Sequence, residues 1–358
     1  MDRALKQVVI LGGDGLAHGR APSADQCGRL LGLDALRGIA AIVVTLLHAL
    51  AVSGTSAFEW IDHGYLMVDF FFLLSGFVLA RTYEERMPSA GRFLAMRWRR
   101  LWLPIALGLV LGAGWSLAAG EPIAAVLPMA VRELLFIPTG CNWPHNLPMW
   151  SILFELFANV LHAALLWRLP MKLLACIAAS CAIVLSRYPD LDLGLGEMFW
   201  GGFPRVLMSY CLGIILWRCR DRLPRVGFAY AVMALLTAVV AASRSAAPWW
   251  ADMGFVLIVS PIVLIGGLSG APRYGVWLGA LSFPLYAVHW PVLIAAFGSG
   301  LGLVPAFALA MGTAVLTGLA ADRRFRDIAA RALHPSTAAP EPVERQANAG
   351  GASPLGKD

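Results

Sequence analysis

Charge is what this sequence has least of. Only 14% of its 358 residues are Asp, Glu, Lys or Arg and 59% are hydrophobic, whereas an ordinary soluble domain carries about 25% charged residues. With a mean hydropathy of +0.69, that shortage excludes an ordinary soluble domain and indicates an integral membrane protein. Cysteine is sparse as well. Cys27, Cys141, Cys176, Cys181, Cys211 and Cys219 make no CxxC pair, which argues against a zinc site or a disulfide framework. No internal repeat of the transporter type is visible. The net charge is +6, but the basic residues lie between apolar segments instead of forming one patch. They therefore read as topology signals, and nucleic acid is not expected as a partner.

What the chain does have is long apolar runs. Ten segments satisfy the rule of about twenty residues per membrane span: 35–53, 64–82, 99–118, 147–167, 171–187, 200–217, 227–243, 250–269, 275–297 and 302–321. Residues 122–137 are apolar but short and contain Arg132 and Glu133, so a re-entrant or interfacial helix is expected there. Alternate loops collect Arg81, Arg97, Arg99 and Arg100, then Arg168 and Lys172, then Arg218 to Arg225. The others hold few basic residues, among which Arg205 is counted, and several acids. The bias predicts one bundle of about ten transmembrane helices over 31–322 with both termini cytoplasmic. Residues 1–30 read as a disordered leader; their GGDG carries no weight because no strand–helix unit follows. Residues 323–358 read as a basic and then disordered tail, rich in Pro, Ala and Gly.

Ionisable groups inside spans are costly and usually face a cavity with a role. The central stretch is LDALRGIAAIVVTLLH, from Leu33 to His48. Arg37 and His48 are eleven residues apart. At roughly 100° and 1.5 Å per residue they leave one helix face about 16 Å apart. The second span holds Asp69. The fourth carries Ser151, Glu155, Asn159 and His162 as one polar stripe, and the ninth carries Ser282, Tyr286 and His289. The expected topology places His48, Asp69, Glu155 and His289 at one depth, in the outer half. His289, beside Trp290 and Pro291, also has the character of an interface anchor, and Ser75 and Gly76 that of close-packing residues. On the inner side, Arg81, Arg97, Arg99 and Arg100 gather with Arg37. They suit phosphate oxygens as well as topology.

These residues are familiar together. LDALRGIAAIVVTLLH at 33–48, VDFFFLLSGFVLAR at 68–81, the RWRR run before Leu101, PMWSILFELF at 148–157 and LSFPLYAVHWPVL at 281–293 resemble the membrane acyltransferase-3 family over roughly 30–320. The family's members typically O-acylate sugars and related acceptors. The resemblance implies a ten-helix bundle in a bacterial inner membrane, a cytoplasmic acyl-CoA donor (most often acetyl-CoA) as co-substrate, no tightly bound cofactor, and a saccharide or glycolipid acceptor. Its Arg-to-His motif falls on Arg37 and His48, its Arg-x-x-Arg motif on Arg97 and Arg100, and its Trp-Ser-downstream-Glu motif on Trp150, Ser151 and Glu155. Phe157-Ala158 departs from the aromatic pair usual after that Glu.

The expected mechanism follows. Arg37, Arg97 and Arg100 hold the phosphates of acyl-CoA, and His48, partly buried, is the general base on an acceptor hydroxyl. Asp69 or Glu155 orients the imidazole. No metal is required. The rival reading is a transporter or flippase that uses the same polar groups, against which the missing repeat counts.

Overall fold

The computed structural model describes residues 30–85, 87–270, 274–321 and 326. The expected leader and tail therefore fall almost wholly outside the described residues. The described residues are all-helical: α1 (Leu31–Ser53), α2 (Leu66–Tyr83), α3 (Ala90–Ala118), α4 (Ile123–Leu134), α5 (Met149–Ala164), α6 (Met171–Leu185), α7 (Gly202–Arg218), α8 (Phe228–Ser243), α9 (Pro248–Gly254), α10 (Ser260–Leu268), α11 (Gly275–Gly298) and α12 (Leu303–Ala321). A π-helical stretch, Phe255–Val259, joins α9 to α10. Each of the ten apolar segments is helical. Among the described residues, seven helical segments are long and apolar enough to cross a membrane, while α5, α6 and α8 are shorter apolar helices. The short segment after α3 is helix α4, as expected of residues 122–137.

Directions follow from pairwise contacts. Arg37 bonds to Gly279 and Ser282, and His48 to His289, so α1 and α11 run parallel. Asp69 pairs with Arg205, and Gly76 packs on Tyr210, so α2 and α7 also run parallel. The starts of α1, α3 and α11 share one end of the bundle, termed here the arginine end.

Small residues set the close crossings. A Cβ on Gly76 would stand 2.1 Å from the Tyr210 carbonyl oxygen, and one on Gly213 2.0 Å from that of Leu73. The backbones of α2 and α7 thus touch, which fits the close-packing reading of Gly76. Ser75 has a different part to play, described below.

The fourth segment departs most from expectation. A helix over 147–167 would start near the surface. Instead the chain from Thr139 to Pro148 dips into the bundle without helical structure, with Trp143, His145 and Asn146 buried. Irregular backbone at such depth survives only when protein groups satisfy it. Proline supplies part of the answer. Pro291 has no N–H, so the Ala287 carbonyl four residues earlier in α11 lacks its helical donor. Asn146 Nδ2 donates to that carbonyl at 2.8 Å. Gly108 and Gly112 of α3 make room, since Cβ atoms there would meet Ala287 O at 2.3 Å and His145 O at 2.1 Å. α5 consequently begins deep in the bundle, and everything on it lies nearer the arginine end than the sequence suggests.

Candidate active site

A half-open cavity of about 120 Å³ runs along α2 from Leu79 to Val68. The eleven steps between those two residues correspond to roughly 16 Å of helix. Arg37, Arg97 and Arg100 line it, together with Glu155, Ser75, Ser151, Ser282 and Tyr286. The three arginines expected to act together are thus brought to one cavity. Arg37 is held by Ser282 Oγ at 2.8 Å, by the Gly279 carbonyl at 2.7 Å and by Asp34 at 3.2 Å. Arg97 donates to Glu155 at 2.6 Å, and Ser75 donates to the same oxygen at 3.0 Å. Glu155 therefore belongs to the arginine group, not to the depth of His48. Ser75 is six residues along α2 from Asp69, about 9 Å toward the arginine end. The buried entry of α5 is the cause.

The far end of the cavity is closed by Tyr286 and Phe71, whose rings meet edge to face at 5.7 Å. Tyr286 shares a 2.5 Å hydrogen bond with Ser151. His289 follows one turn later on the same face of α11, its ring 5.8 Å from that of Tyr286. His48 lies beyond the cavity lining, half-buried, with Nδ1 2.8 Å from His289 Nε2 and the two rings within 6° of parallel.

The bonds around these two rings fix their protons. His289 Nδ1 is 3.0 Å from the Leu285 carbonyl, which only accepts, so Nδ1 carries a proton. In a neutral imidazole Nε2 then accepts. His48 must therefore donate from Nδ1, which leaves its Nε2 with an open lone pair. That is the tautomer a general base needs.

Neither expected carboxylate orients His48. Asp69, fully buried, receives Arg205 Nη2 at 2.7 Å and Nε at 3.0 Å, and Ser209 Oγ at 3.2 Å. Arg205 also donates to the carbonyls of Leu193 and Tyr65, both at 3.0 Å. Asp69 is thus half of a buried ion pair that ties α2 to α7 and to the loop before it. Counting Arg205 with the loops was wrong: it lies inside α7, fully buried. The sequence held the signal, because position 205 falls inside the apolar segment 200–217. His289 as the partner of His48 was missed for another reason, since a contact between helices so far apart in sequence leaves no spacing pattern.

The polar stripe of α5 splits in two. Ser151 and Glu155 are partnered, whereas the side-chain N and O atoms of Asn159 and both ring nitrogens of His162 are buried without a hydrogen bond. His162 stacks on the Phe93 ring at 6.4 Å and meets the Tyr210 ring edge to face at 5.7 Å.

Such an arrangement, a cavity rimmed by arginines with a histidine pair beyond its far wall, inside an apolar helical bundle, defines a multi-pass membrane protein built for chemistry. The chain belongs to the acyltransferase-3 family: that family's acyltransferase domain matches residues 30–322. Acyltransferase MdmB of Streptomyces mycarofaciens is 28% identical over 317 residues, 74% of this chain and 79% of that protein. BcsY of Komagataeibacter xylinus is 28% identical over 301 residues, 74% of this chain and 73% of its own. Protein 2 in the picA locus of Rhizobium radiobacter is 33% identical over 181 residues, 44% of this chain and 93% of that protein. No solved structure matches the chain. The protein is a membrane acyltransferase.

Proposed function

We propose that the protein moves an acyl group, most often acetyl, from cytoplasmic acyl-CoA to a hydroxyl of a saccharide or glycolipid acceptor in a bacterial inner membrane, with both termini cytoplasmic. The observation that carries the reading is the hydrogen-bonded line from the Leu285 carbonyl through His289 to His48, which leaves His48 Nε2 unprotonated. The arginine end faces the cytoplasm, and Arg37, Arg97 and Arg100 take the donor's phosphates there. Glu155 holds the Arg97 fork in place. The acyl arm follows α2 as far as Tyr286 and Phe71, and these two rings turn aside to let the thioester reach His48.

His48 Nε2 removes the acceptor hydroxyl proton as the oxygen attacks the thioester carbonyl. The tetrahedral intermediate collapses, the C–S bond breaks, and the imidazolium returns its proton to the departing thiolate. His289 accepts the Nδ1–H of His48 throughout and is a positioning residue. Asp69 is assigned no chemical step, since its oxygens are taken up by Arg205 and Ser209.

The test uses membranes supplied with labelled acetyl-CoA. Label should appear in a saccharide fraction with wild type and fall by about 10² to 10⁴ in His48→Ala at unchanged protein abundance. Unimpaired transfer in His48→Ala would rule out the base. A transporter would show no dependence on the thioester.

A further inference from the structure

A second cavity, of about 180 Å³, lies at the other end of the bundle, away from the arginines. Its walls come from α3 and the turn that follows it, α11 and the buried chain before α5: Trp115, Ser116, Glu121, His145 and Trp290 carry its chemistry. The floor is built. His145 is buried, and its Nδ1 is held at 2.8 Å by Glu133 Oε1, which also accepts the His145 backbone N–H at 3.1 Å. The bond to Glu133 occupies Nδ1, and Nε2 makes no hydrogen bond among the described residues, so the imidazole offers that nitrogen to the cavity it lines. Burial pushes the Glu133 carboxyl up from its usual value, while His145 opposes the shift.

Two tryptophans flank this floor, and both are held. The Trp115 ring packs on Gly298, where a Cβ would stand 2.2 Å from a ring carbon. The Trp290 ring sits edge-on to His48, with centroids 5.1 Å apart and planes at 78°. Trp290 is therefore the wall that the cavity and the proposed base have in common. At the mouth, Glu121 is exposed and accepts from Ser116 at 3.2 Å.

We infer that this cavity holds the acceptor as a hydroxylated ring of the pyranose type. The C–H faces of such a ring are apolar and stack on the electron-rich faces of tryptophan. Its hydroxyls match the lone pairs of Glu121 and Ser116 and the free nitrogen of His145. A hydroxyl directed past the edge of Trp290 arrives at His48. The donor would then enter from the arginine end and the acceptor from the opposite end, with His48 between them. This rests on the proposed function for its chemistry, but the binding itself is separately measurable.

The experiment uses the full chain in nanodiscs, with methyl glycosides as the probe and saturation-transfer NMR as the readout. Wild type should show transfer to the pyranose C–H protons, and Trp115→Ala and Glu121→Gln should lower it at least fivefold. Glu121 is exposed, so its variant keeps the fold even if a Trp115 variant does not. Absence of signal in wild type, or equal signal in both variants, overturns the assignment. The same glycosides are then offered with labelled acetyl-CoA. Binding without acyl transfer would strike the proposed function while leaving the cavity assignment standing. Transfer whose acceptor KM rises at least fivefold in Glu121→Gln, at unchanged acetyl-CoA KM, supports both.

Discussion

The Asp69–Arg205 pair gives the sharpest test of the structure, because sequence and structure assign Asp69 different work. As a catalytic orienter, Asp69→Asn would leave the protein abundant and inactive. As half of a fully buried ion pair, it should be needed for folding. Removing one member of a buried pair leaves an uncompensated charge and costs about 3–5 kcal/mol. Asp69→Leu leaves Arg205 with only the Leu193 and Tyr65 carbonyls, so it should fall in that range. Arg205→Met strands the Asp69 charge and removes the donor from both carbonyls, each worth roughly 1–3 kcal/mol when left unsatisfied; it should be the worse of the two. In the double variant the stranded-charge cost vanishes and only the carbonyls remain unserved. The summed singles should therefore exceed the double by at least about 3 kcal/mol, at or above the upper end of the coupling range of residues in direct contact. Thermal unfolding in detergent, followed on all four proteins, measures this. Additive effects within about 0.5 kcal/mol, or a stable and inactive Asp69→Asn, would refute the argument.

Other outcomes are expected. His289→Gln keeps an acceptor for His48 Nδ1 and should retain most acyl transfer. His289→Phe loses a bond that strengthens when His48 is protonated, by roughly 0.5–2 kcal/mol going from a neutral to a charged partner, and should lower kcat about 2- to 30-fold. Equal losses in the two variants would count against the fixed tautomer. Gly112→Ala drives a Cβ into the His145 carbonyl and should cost about 1–3 kcal/mol as overpacking, read as a lower unfolding midpoint; Gly114→Ala, with open space around it, is the neutral control. Asn159→Leu removes a buried amide without partners and should raise stability by about 1 kcal/mol or more. A lower unfolding midpoint there would refute the reasoning that the amide is buried without partners.

The legible part of the protein was its periodic and compositional part. The apolar segments could be counted because polar side chains are costly to transfer into lipid, which sets the composition of a membrane helix residue by residue. Arg37 and His48 could be placed on one face because eleven residues of helix fix their bearing, and both do meet α11. The arginines could be grouped because they flank neighbouring segment ends.

Partnership was not legible. His48 meets His289 across 241 positions, and Asp69 meets Arg205 across 136; no local period records which helix lies beside which. Depth along α5 was misjudged for a related reason. An apolar stretch gives a length, but not where in the bilayer it starts, and here Asn146 and the carbonyl freed by Pro291 hold the preceding chain inside. Sequence alone decided that this chain is a bundle of membrane helices with an arginine-and-histidine seam, since burial and periodicity are properties of each segment. Only the tertiary structure decided which imidazole faces which, and which carboxylate merely holds helices together, since those depend on contacts that chain separation does not encode.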